Sequence, residues 1–156
     1  MAKRKGGCVC GAVRYRIERE PIFVHCCHCT DCQRLSGSAF AVNALIETTH
    51  VSVVAGAPER TELATPSGGR RRAVARCASC GAMLWAFHRR VGDKIAFLRA
   101  GTLDDPAALP PQLHCFTRSK LPWVAIPEGA AATSGSYDPA DHWPPDTLAR
   151  LAAALR

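Results

Sequence analysis

Apolar and polar residues alternate in short runs along most of this chain. Val13, Tyr15 and Ile17 stand between Arg14, Arg16 and Glu18, the period-two pattern of a strand with one buried face. Phe40, Val42, Ala44 and Ile46 repeat it, and Val51 to Val54 is a valine-rich run closed by Ala55-Gly56. Arg72 to Arg76 and Met83 to Phe87 predict two strands flanking Cys77-Ala78-Ser79-Cys80-Gly81, which becomes the turn of a hairpin. Ile95 to Leu98 and Trp123 to Ile126 are further predicted strands, and Asp104-Asp105-Pro106 and Pro110-Pro111 supply turns. The expected fold class is mostly β.

Two helices interrupt that pattern. Thr30-Asp31-Cys32-Gln33 has the form of a capping box with Thr30 as N-cap, and Gly37 is placed to end the helix. Cys32 then sits in the first turn, where free backbone N–H groups favour a thiolate. Near the C-terminus, Trp143-Pro144-Pro145 precedes a second helix with Asp146 as N-cap and Leu148, Leu151, Ala152 and Leu155 on one face. That face is expected to pack on the body or on a second subunit. The expected organisation is a β domain over residues 1–127 and a Pro/Ala-rich extension over residues 128–156 ending in this helix.

Charge alters the picture only slightly. The formal net charge of +7 comes largely from Lys3-Arg4-Lys5, Arg70-Arg71-Arg72 and Arg89-Arg90. No run is long enough, or sufficiently interleaved with aromatics, to make a nucleic-acid stripe. Short basic runs are ordinarily solvated turns, although they attract anions as well. No apolar segment reaches membrane-spanning length, and no apolar run follows the basic start at Lys3 to Lys5.

The cysteines alter it decisively. There are nine, an odd number, and 156 residues suffice for a core without disulfide staples. Reduced thiols in the cytoplasm are therefore expected, with thiolate–metal chemistry. Cys8-x-Cys10 and Cys77-x-x-Cys80-Gly81 have the form of two zinc knuckles, which together close a tetrahedral four-sulfur shell for a structural zinc. Cys27, Cys29 and Cys32 offer three thiolates and leave a fourth position on a second zinc for water or substrate. Cys26, beside Cys27 on extended chain, points to the opposite face and into the core. His25 and His28 are alternatives for a fourth ligand or for supporting positions; ligation by His28 would make the site closed and structural.

These motifs carry a family resemblance. Cys8-x-Cys10-Gly11, Cys27-His28-Cys29-x-x-Cys32-x-Arg34, Ser36-Gly37-Ser38-Ala39-Phe40 and Cys77-x-x-Cys80-Gly81 occur in this order. So do Gly101-Thr102-Leu103-Asp104 and His114-x-Phe116-x-x-Ser119-Lys120-x-x-Trp123. Over about residues 6 to 127 the chain resembles the glutathione-dependent formaldehyde-activating enzymes, a group with an Mss4-like β fold. The resemblance implies a structural zinc on Cys8, Cys10, Cys77 and Cys80 and a catalytic zinc on Cys27, Cys29 and Cys32. It also implies a carbon–sulfur lyase acting in the synthetic direction, with glutathione and formaldehyde as substrates.

Zinc with three thiolates carries a net negative charge, so a neighbouring cation is expected. Arg34 is the candidate, either as that cation or as the holder of a carboxylate on a glutathione-like ligand; a solvated helix charge fits it equally. His114, beside Cys115, is a candidate proton carrier. The competing readings are a zinc-ribbon-like binding module working through its basic surface and a thiol carrier without turnover.

Overall fold

The computed structural model describes residues 3–65 and 70–156, with the side chains of Thr65, Arg70 and Arg71 left aside; Met1-Ala2 lies outside the described residues, and of the basic run 70–72 only Arg72 has a described side chain. Among the described residues, ten strands form two sheets. In chain order they are β1 (Arg4–Gly7), β2 (Arg14–Ile17), β3 (Phe23–Cys27), β4 (Ala41–Glu47), β5 (Val51–Ala55), β6 (Glu59–Thr65), β7 (Arg70–Arg76), β8 (Met83–His88), β9 (Gly92–Arg99) and β10 (Leu113–Cys115). Three helices accompany them: α1 (Thr30–Ser36), α2 (Pro139–His142) and α3 (Pro145–Leu155). A three-stranded sheet runs β1-β2-β5, and a seven-stranded sheet runs β10-β3-β4-β9-β8-β7-β6. The large sheet is antiparallel except where β10 joins β3 in parallel. The mostly β expectation therefore holds.

Strand alternation separates two cores. Val13, Tyr15 and Ile17 meet Val24, Ala44, Ile46, Leu84 and Leu98 between the sheets. On the other face, Phe23, Cys27, Ala41, Leu45, Ile95 and Cys115 pack with Trp143, Leu148 and Leu151 of the C-terminal extension. Side chains of α3 and of the segment before it thus complete the second core, which also contains Cys27 and Cys32.

Several local expectations are corrected. The N-cap of α1 is Cys29, one residue earlier than Thr30: its sulfur accepts from Cys32 N at 3.3 Å. Gln33 does not close a capping box; its amide donates to His28 O at 2.8 Å and Ser119 O at 2.9 Å, tying the helix start to the segment after β10. Gly37 ends α1 at φ 62°, a left-handed conformation that glycine adopts without a Cβ penalty. Helix α3 begins at Pro145 rather than after Asp146, since a proline at the first helical position sacrifices no intrahelical bond. No strand forms at Trp123 to Ile126. Val124 N turns back to Leu121 O at 3.0 Å, Pro122 and Pro127 lack N–H donors, and Trp123 is 74% exposed. The unforeseen strands are β1, hidden in the basic start, the short β10 that joins β3 in parallel, and the edge strand β6, whose Glu59-Arg60-Thr61-Glu62 carries no apolar alternation; of β3 only the extended Cys26-Cys27 end is anticipated.

Candidate metal centres and the cavity beside them

Two matching turns build the first cysteine group. Cys8 N donates to Val13 O and Gly11 N to Cys8 O, each at 3.0 Å; Cys77 N donates to Ala82 O at 3.0 Å and Gly81 N to Cys77 O at 2.9 Å. The sulfurs of Cys8, Cys10, Cys77 and Cys80 all lie within 4.8 Å of one another. Cys8–Cys10 is 3.4 Å and Cys10–Cys77 is 3.7 Å, close to the ~3.8 Å edge of a tetrahedron with Zn–S bonds of about 2.3 Å. The Val13 N–H, 3.2 Å from the sulfur, is the largest cause bringing the Cys8 thiol down to about 6. The Ala82 N–H is likewise the largest cause that lowers the Cys80 thiol. Cys10 is favoured by the Ala12 N–H, but the Cys8 and Cys80 sulfurs outweigh it and push it up to about 12. The donor set fits a divalent soft cation, which relieves that mutual opposition.

The second group gathers at the end of β3 and the start of α1. Cys27, Cys29 and Cys32 also lie within 4.8 Å of one another. Without a cation they suppress one another. Cys27 is pushed far up by Cys115 and then Cys29, and Cys32 is raised chiefly by Cys27. For Cys29, the contact from Cys27 favours the thiolate, but Cys32 and burial prevail. Three converging thiols of this kind also fit a divalent cation. Neither histidine completes the set. His28 Nε2 is 3.0 Å from His114 Nδ1 and 3.6 Å from Cys26 Sγ on the opposite face, while His25 Nδ1 is 2.7 Å from the Tyr137 hydroxyl.

Those partners settle where several candidates sit. Cys26 is buried as expected, but it belongs to a third cluster with His28 and His114, all three buried. His114 points into that cluster, and the cavity beside the three cysteines is lined instead by Cys115. Arg34 is exposed near the end of α1 and does not line the cavity.

The cavity holds about 520 Å³ and contacts Cys27, Cys29 and Cys32 together. Strand register lays a polar row across its floor, because Asn43 on β4 faces His25 on β3 and Arg99 on β9. Arg99 donates to Asn43 Oδ1 at 2.5 Å and reaches Met83 Sδ at 3.4 Å. It is buried, with Nε unpartnered, and makes no ion pair among the described residues. Burial first, then the charges of Arg99 and His88, bring His25 down to about 4, so it is neutral at neutral pH. The sequence signal for this row was available: Asn43 interrupts the apolar run from Ala41 to Ile46, and Arg99 closes the apolar run from Ile95 to Leu98. Tyr137, Pro139, Trp143 and Leu151 of the extension form one wall, with Trp143 stacked on Phe23 at 5.0 Å between ring centres.

The family model for the glutathione-dependent formaldehyde-activating enzyme matches residues 3–119, about three quarters of the chain. The chain belongs to this family. A protein of Halomonas elongata described as a putative glutathione-dependent formaldehyde-activating enzyme is 32% identical over 131 residues, covering 78% of this chain and 80% of the relative. A crystal structure of a Rhodobacter sphaeroides protein matches with a TM-score of 0.49 at 22% identity, over 64% of this chain and 87% of that one. The family match contains both cysteine groups and ends before Tyr137 and Trp143. The aromatic wall of the cavity therefore lies outside the matched region.

Proposed function

We propose that this protein joins glutathione to formaldehyde as S-hydroxymethylglutathione, a carbon–sulfur lyase working in the synthetic direction. The observation that carries the reading is the convergence of Cys27, Cys29 and Cys32 beside a cavity large enough for a thiol cosubstrate, in a chain of this family. Cys8, Cys10, Cys77 and Cys80 would hold a structural zinc and Cys27, Cys29 and Cys32 a second one. When bound there, zinc supplies Lewis acidity and favours the deprotonated form of a thiol. In the reaction, the thiol sulfur forms a bond to the aldehyde carbon, the carbonyl π bond passes to oxygen, and the thiol proton ends on that oxygen.

The chain's own residues prepare this site electrostatically. Arg99, rather than Arg34, is the buried cation facing the cysteines: its charge favours the Cys32 thiolate, which Cys27 chiefly opposes. Neutral His25, held by Tyr137, adds hydrogen-bonding capacity without adding charge. The aromatic wall keeps water from that side of the site. All nine cysteines are free, in keeping with a cytoplasmic location, and no described helix is long and apolar enough to cross a membrane.

Native mass spectrometry of freshly purified, reduced protein tests the metal assignment. Two zincs per chain are expected, falling to one in Cys29→Ser, together with a glutathione adduct that this variant loses. One zinc in the wild type and no adduct would reject the open site.

A further inference from the structure

Formaldehyde has one carbon and one oxygen, so nearly all of the 520 Å³ cavity is available to the thiol partner. The charge on its walls is one-sided. Arg72 on β7, Arg90 in the β8–β9 turn, Arg99 on β9 and Arg118 after β10 line it, against a single acidic residue, Asp31. None of the four arginines makes an ion pair among the described residues. Five arginines outside the cavity are paired: Arg4 with Glu20, Arg14 with Asp104, Arg16 with Glu18, Arg60 with Asp93 and Arg150 with Glu47. Among the described residues Arg19, Arg34, Arg76, Arg89 and Arg156 make no ion pair either, so what sets the four apart is that they line one cavity together. Arg90 and Arg118 are exposed and Arg72 half-buried, which makes them a rim, whereas Arg99 belongs to the floor.

A neutral aldehyde gives such a rim nothing to bind. Guanidinium groups in a cavity mouth match carboxylates, to which they can donate two parallel hydrogen bonds. They arrive from three separate segments and so can engage more than one carboxylate on a flexible ligand. We propose that Arg72, Arg90 and Arg118 form a carboxylate-binding rim, which restricts the cosubstrate to small thiols carrying free carboxylates and disfavours neutral or cationic thiols. This rests on the reading of the three-cysteine site as a thiol site.

The test uses S-methylglutathione, which keeps both carboxylates but has no free thiol, so its binding to the metal-loaded protein reports the rim. In calorimetric titrations it should bind, and its carboxylate diester should bind at least tenfold more weakly. Arg90→Gln and Arg118→Gln should each weaken it roughly fivefold, the upper scale of one solvent-exposed ion pair. Arg89→Gln, an exposed neighbour that does not line the cavity, should leave affinity within twofold, which separates rim geometry from net charge. Equal affinity for acid and diester, or an Arg90→Gln/Arg118→Gln double variant within twofold of wild type, overturns the rim. Turnover of glutathione with an unchanged KM in that double variant would overturn the rim alone. Rim-dependent binding without formaldehyde consumption would instead support the rim and overturn the proposed reaction.

Discussion

Removing the Arg150 side chain tests how the C-terminal extension is held over the cavity. Arg150 of α3 donates from Nε to Glu47 Oε1 at 3.1 Å and from its terminal nitrogen to Glu47 Oε2 at 2.8 Å; that nitrogen also reaches Glu20 O at 3.0 Å. The side chains are 16% and 9% exposed, so the pair is nearly but not fully withdrawn from water. Breaking a fully buried pair costs about 3–5 kcal/mol; with residual solvent access, Arg150→Ala should cost about 2–3 kcal/mol. The penalty arises mainly because Glu47 is left buried without its cation. Urea unfolding under reducing conditions should show a lower midpoint, and hydrogen exchange should accelerate in Pro145–Leu155 before the β-sheet. Glu47→Gln added to Arg150→Ala should recover part of the loss, since no stranded charge remains. The pH dependence has a definite sign. Burial alone would raise Glu47, but the Arg150 hydrogen bonds and charge, with a backbone bond, hold it below the usual carboxylate range. The pair therefore stabilises fully above about pH 4.3, the unfolded value, and is lost as pH falls through the lower folded value. The wild-type advantage over Arg150→Ala should accordingly be largest near pH 7 and vanish in acid. An unchanged midpoint at pH 7, with normal exchange in α3, would refute the reasoning.

Other perturbations separate the two cysteine groups and the cavity wall. A strong chelator should strip the open three-cysteine site before the closed four-cysteine set, seen as two phases of zinc release with global unfolding confined to the second. Cys77→Ser should lower stability by several kcal/mol and leave little folded protein, whereas Cys29→Ser should lose one zinc and keep near-wild-type circular dichroism. Tyr137→Phe removes the 2.7 Å bond to His25 and should cost about 1 kcal/mol in urea unfolding, with a reduced rate of adduct formation.

The parts legible from sequence were those with short-range chemical grammar. Cysteine spacing foretold both sulfur groups, because a knuckle is fixed by a few consecutive backbone bonds such as Gly81 N to Cys77 O. Period-two alternation found β2 and β4, and a valine-rich run found β5. It failed for β6, a polar edge strand, and misread Trp123 to Ile126, where β-prone residues lie between prolines that cannot donate. The cavity was hidden for another reason. His25, Asn43 and Arg99 become one row only through the register of three strands, and Trp143 meets Phe23 across 120 positions. Arg34 attracted notice by lying two residues from Cys32, yet the direction of α1 carries it to solvent while Arg99 arrives from β9.

The central claim is that Cys27, Cys29 and Cys32 form a site that speeds addition of a thiol to formaldehyde. Two-dimensional exchange NMR with ¹³C-formaldehyde and glutathione at equilibrium measures that step directly, because the uncatalysed interconversion supplies an internal baseline. Wild-type protein with both metal sites filled should raise the exchange rate in proportion to its concentration, and folded Cys29→Ser should return it to baseline. An exchange rate in the presence of fully metallated wild-type protein equal to that of glutathione and formaldehyde alone would contradict the account.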